Sequence, residues 1–91
     1  MIVVISSSTG EHAVAIKEDR EQPGYRVVDG AGLLDSSPGF VCFIENLSVG
    51  THPWVSYYKE DPSGIDFGFC GSRLPLQKSR ILRIERQFSR Q

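Results

Sequence analysis

The sequence is poor in the residues that specific chemistries demand. Its 91 residues include two cysteines, two histidines, one tryptophan and one methionine. Cys42 and Cys70 have no C-x-x-C spacing, which excludes a zinc site or a thioredoxin-like redox pair of the usual kind. Long hydrophobic runs are missing too. Ile2–Ile5 and Phe40–Ile44 fall far short of the roughly 18 residues of a membrane-spanning helix, and no basic start precedes a signal-like apolar stretch. The reading is a soluble, unprocessed cytoplasmic protein without a membrane partner, whose two thiols stay reduced as small buried hydrophobes. Neither charge dominates: ten bases against eleven acids leave a formal −1, unlike a dedicated polyanion binder with a pI above about 9.

The charge that is present is unevenly placed. Residues 1–72 carry four bases against ten acids, a formal −6, whereas residues 73–91 carry six bases against Glu85 alone, a formal +5. Such asymmetry between the two ends suggests an interaction surface. The alternative is that the basic segment folds back and neutralises the acidic body.

Hydrophobic residues at 40% are enough for a core, and the length suits one domain spanning 1–91. Turn residues such as Thr9-Gly10, Pro23-Gly24, Asp29-Gly30, Pro38-Gly39 and Pro62-Ser63-Gly64 separate short apolar segments at strand-like intervals. Those segments are 2–6, 12–17, 25–29, 40–47, 54–59 and 65–70. A hairpin joins the last two. With Glu60 opposite Ile65, Tyr58 would face Phe67 and Ser56 face Phe69 on the core side, turning Tyr57 outward. Between Ile2 and Lys17, a strand followed by a helix capped by Ser8-x-x-Glu11 is weighed against two strands. Ala13 to Ile16 would cover every side of a helix, so the strand, with His12, Val14 and Ile16 on one face, fits better.

After Pro75 the spacing predicts a basic amphipathic helix, since Ile81, Ile84 and Phe88 recur at three and four while Arg80, Arg83 and Arg90 gather elsewhere with Arg86 nearby. The alternative is a last strand with Leu82 and Ile84 inward. The expected fold is therefore mainly β or α+β: a small, curved, barrel-like antiparallel sheet of five to six strands with a C-terminal helix, or an all-β small barrel closed by that segment. The expected core is Ile2, Val4, Val14, Ile16, Val27, Phe43, Ile44, Tyr58, Phe67, Phe69, Ile81, Ile84 and Phe88.

No catalytic constellation assembles from spacing. Ser6-Ser7-Ser8-Thr9-Gly10 lacks the phosphate-loop pattern and reads as a polar loop. A thiol nucleophile would need Cys42 or Cys70 beside His12 or His52, with Arg73 favouring the thiolate, yet no third group orients either histidine. Adjacent acids in polar turns read as solvated. No cofactor or metal ligand set is identified.

The leading expectation is a non-enzymatic protein-interaction module, of inhibitor, adaptor or regulator type, that docks on another protein through complementary charge. Its basic contacts are Arg80, Arg83, Arg86 and Arg90, its acidic contacts Glu18, Asp19, Glu21, Glu60 and Asp61, and its surface aromatics Tyr57 and Trp54. Head-to-tail charge matching would give a homodimer. One alternative is a nucleic-acid-binding β domain that uses the same arginines with Trp54 or Tyr57 stacking on bases. Another is a thiol-dependent enzyme.

Overall fold

A computed structural model describes residues 1–19, 24–34, 39–61, 64–69 and 73–86, with backbone alone at 60, 61 and 64–69. They form strands β1 (Ile2–Ser7), β2 (Gly10–Glu18), β3 (Tyr25–Asp29), β4 (Phe40–Glu45), β5 (Trp54–Asp61), β6 (Gly64–Phe69), β7 (Leu74–Pro75) and β8 (Arg80–Glu85). All pair antiparallel in one sheet of order β6-β5-β4-β3-β2-β1-β8. β7 lies off this path against the start of β5. Among the described residues there is no helix long and apolar enough to cross a membrane.

Among the described residues the helix expected after Pro75 is absent, and residues 80–85 form a strand instead. β8 runs beside β1 with Ile5 opposite Ile81 and Val4 opposite Arg83, so Leu82 is an extra residue in the ladder, a β-bulge. Residues three apart in a regular strand point to opposite faces. The bulge reverses that: Ile81 and Ile84 both turn inward, while Arg80 and Arg83 both turn outward. A spacing of three, which on sequence alone imitates a helix, is here the signature of a bulged strand. Leu82 itself stays 36% exposed rather than joining the core.

The larger part of the core lies on one face of the sheet. Val3 and Ile5 of β1, Val14 and Ile16 of β2, Val27 of β3, Cys42 and Ile44 of β4, Val55 of β5 and Ile81 of β8 form a single buried cluster with Leu34. Laid flat, β5 and β8 would be five strand spacings apart, about 24 Å. Yet the Ile81 amide donates to the Thr51 carbonyl at 3.0 Å, and the Gly50 amide donates to the Ile81 carbonyl at 2.7 Å. The sheet therefore curls until β8 meets the segment that enters β5, and loop hydrogen bonds rather than a strand ladder bridge the gap. The His52 Nδ1 contact with the Ser79 carbonyl and the bond from the Leu76 amide to the Pro53 carbonyl fasten the same seam.

β4 is buried on both faces, as its uninterrupted apolar run implies. Phe43 and Val41 lie opposite the main cluster, and the Phe43 ring packs edge-on against Tyr58 at 5.2 Å. Two assignments to faces change in consequence. Tyr57, expected on the surface, shares the face of Cys42 and packs partly buried against the core, whereas Tyr58 lies on the other side. In β1 the main core takes Val3 and Ile5, with Val4 buried on the opposite face. Glu60 does oppose Ile65, but a register shift between Tyr58 and Glu60 sets Phe69, not Phe67, across from Tyr58. The side chains of Phe67 and Phe69, and the whole of Cys70 and Phe88, lie outside the described residues.

Candidate partner-binding surface

β8 is the terminal strand of the sheet order, with β1 on one side. Arg80 and Arg83 are exposed on its outer face, and Arg86 is exposed just past its end. The Arg80 Nη1 donates to the Gly50 carbonyl at 2.8 Å, tying the arginine to the loop that closes the sheet. Arg83 Nε donates to Glu85 Oε2 at 2.9 Å. Two residues apart on one strand, these side chains share a face, and the pair is local to β8. Both partners are at least half exposed, where such pairs contribute little to stability. Arg90 lies outside the described residues.

The expected acidic contacts do not form one described patch. Glu18 is exposed at the end of β2, and Asp19, directly after it, is half-buried and engaged. Glu21 and the side chains of Glu60 and Asp61 lie outside the description, although the backbone of the latter two ends β5. Cys42 is a free, buried thiol.

A constellation not singled out from sequence sits where β4, β5 and β7 come together. The register of β4 with β5 places Glu45 across from Trp54, and β7 returns alongside so that Pro75 faces Trp54. Arg73, immediately before β7, lies over the Trp54 ring with its guanidinium carbon 4.9 Å from the centroid. Its Nε donates to both Glu45 oxygens, at 3.0 and 2.9 Å. The nucleic-acid alternative would need an open Trp54 face for stacking, but a planar cation lies over the ring. Only the register of three strands brings residues 45, 54 and 73 together.

The serine-rich segment forms the two-residue turn between β1 and β2, with Ser7 opposite Gly10. Ser7 Oγ and Thr9 Oγ1 are 2.9 Å apart, and Thr9 Oγ1 lies 2.7 Å from His12 Nε2. This hydroxyl–imidazole chain is exposed and local, and it satisfies the polar groups of the hairpin tip. Among the described residues there is no cluster of three or more metal-ligating side chains. Comparison with family models, curated proteins and solved structures finds no match to this chain.

Proposed function

We propose that this chain is a small non-enzymatic protein-interaction module that docks on another protein through complementary charge. The observation that supports it is the bulge in β8, which brings Arg80 and Arg83 to one outer face of a terminal strand. Among the described residues, the ion pair of Arg83 is made within β8 rather than with the acidic body. Arg73 of the basic segment is paired with Glu45 of the acidic body, so it is the exposed Arg80, Arg83 and Arg86 that would steer an acidic partner, where exposed charge governs encounter rate and orientation more than final affinity. Nucleic-acid binding is less well supported, because it needs open aromatic faces: Tyr57 packs toward the core and Trp54 lies under Arg73.

The test is capture of binding proteins from the native cell on immobilised wild-type chain and on the Arg80→Gln/Arg83→Gln variant, at 50 and 500 mM salt. A partner retained at low salt by wild type, and lost both at high salt and with the variant, supports the reading. Retention indifferent to salt and to the variant overturns it, and recovery of nucleic acid in place of protein favours the alternative.

A further inference from the structure

We propose that Leu82 and Val49 form the apolar centre of the β8 docking surface, and that the partner meets it with an acidic segment carrying an apolar side chain between its carboxylates. The inference rests on the protein-docking function proposed above and names the partner's chemistry at that same surface. The β-bulge inserts Leu82 between Arg80 and Arg83, the two outward-facing arginines of β8. Loop hydrogen bonds bring in a second apolar side chain. The Gly50 amide donates to the Ile81 carbonyl and the Ile81 amide to the Thr51 carbonyl, so the chain entering β5 runs antiparallel to β8 and sets Val49 alongside Leu82. Val49 is 61% exposed and Leu82 36%. Neither belongs to the core cluster or packs against it, so the fold does not account for apolar residues at these two positions. The bond from Arg80 Nη1 to the Gly50 carbonyl holds a guanidinium beside the pair. Apolar side chains rimmed by exposed charge have the anatomy of a protein interface, dry at its centre and polar at its edge.

Charge selects the occupant. Residues 78–86 carry four bases, Lys78, Arg80, Arg83 and Arg86, against Glu85, a formal +3, and all five are exposed. In a chain whose first 72 residues total −6, this strand is the part that attracts carboxylates. A nucleic-acid backbone would set phosphates against Leu82, Val49 and Glu85, whose side chains have no hydrogen bond to donate. An acidic peptide with an apolar residue at its middle gives each part of the surface its complement. The arginines then govern encounter, and the apolar pair slows escape.

The experiment uses the full chain, labelled with nitrogen-15, and follows the backbone amide resonances of Val49 and Leu82. The probe is a capped pentapeptide with leucine between two pairs of glutamates. Parallel arms replace its leucine with serine, replace its glutamates with glutamines, or use a ten-nucleotide oligouridylate. The expected result is a saturable shift of both resonances, with binding about fivefold or more weaker for each altered peptide. Leu82→Ser, a change at an exposed position, should weaken the probe by about fivefold or more, followed through the Val49 amide, whereas Leu82→Met should stay within about twofold of wild type. Unmoved resonances, equal affinity for the serine peptide, unchanged affinity in Leu82→Ser, or tighter binding of the oligouridylate would each overturn the inference. If the captured partner is lost with Arg80→Gln/Arg83→Gln but retained by Leu82→Ser, the docking function stands and only the apolar centre falls. If neither variant affects it, both fall.

Discussion

Replacing Gly30 with alanine tests how tightly the turn after β3 is built. A Cβ at this position would lie 1.3 Å from the Leu34 carbonyl oxygen, 2.2 Å from its carbon and 2.9 Å from its Cα. These are backbone atoms, so no rotamer change relieves the clash. The Gly30 carbonyl accepts from the amides of Leu33 at 2.8 Å and Leu34 at 3.2 Å, and Asp29 Oδ1 accepts from the Ala31 amide at 3.0 Å. Opening the turn gives up those two carbonyl bonds, each worth about 0.5 to 1.5 kcal/mol. It also pulls Leu34, 1% exposed, out of the core cluster, where full truncation of a leucine costs about 2 to 5 kcal/mol. The expected loss is about 3 kcal/mol or more. Gly32→Ala in the same turn is the control: its φ is +84° but nothing lies within 4 Å of the added carbon, so it should cost only about 1 to 2 kcal/mol. Urea unfolding followed by tryptophan fluorescence and circular dichroism reads both. With a slope of about 1 kcal/mol/M for a small domain, the Gly30 variant should lose about 3 M in midpoint or be unfolded without urea. Equal midpoints for the two variants would refute the packing argument.

Other consequences follow from the same structure. Ser56 is fully buried opposite Phe43, and its Oγ finds no hydrogen-bond partner among the described residues. Ser56→Ala should therefore raise stability by about 1 kcal/mol in urea unfolding, and a loss of that size would contradict the assignment. Deleting Leu82 removes the bulge while leaving Ile81 opposite Ile5 and Arg83 opposite Val4. Stability should change by less than about 1.5 kcal/mol, with NMR contacts from Ile84 to Val3 retained, whereas unfolding of the variant would argue against the bulged register. Arg73→Ala should expose the indole and shift the Trp54 emission to longer wavelength with a stability cost below about 1 kcal/mol. An unchanged spectrum would show that the guanidinium does not cover the ring in solution.

Much of the fold was legible because period and punctuation agree. The turn glycines bracket β3 and β4, and His12, Val14 and Ile16 declare a strand because no helical face accommodates Ala13 to Ile16. What misled was ambiguity of period. Ile81 and Ile84 are three apart, which fits a helix or a bulged strand equally well, and only pairing with β1 decides between them. In β1 four consecutive apolar residues carry no alternation, so which two face the core depends on neighbouring strands. Tyr57 and Tyr58 are equivalent on paper. β4, buried on both faces, gives each tyrosine an apolar neighbour, and placing the core on one face alone put them on the wrong sides. The basic residues of β8 were visible as charge, but the Glu45, Trp54 and Arg73 stack was not, because 28 residues separate the ion-paired side chains.

The most direct test of the docking account is the association rate of a captured partner with wild-type chain and with Arg80→Glu/Arg83→Glu, measured across 50 to 500 mM salt. The account predicts that the charge reversal lowers the low-salt rate by about tenfold or more, that the difference shrinks as salt rises, and that dissociation changes far less. Association rates that match at every salt concentration would contradict it.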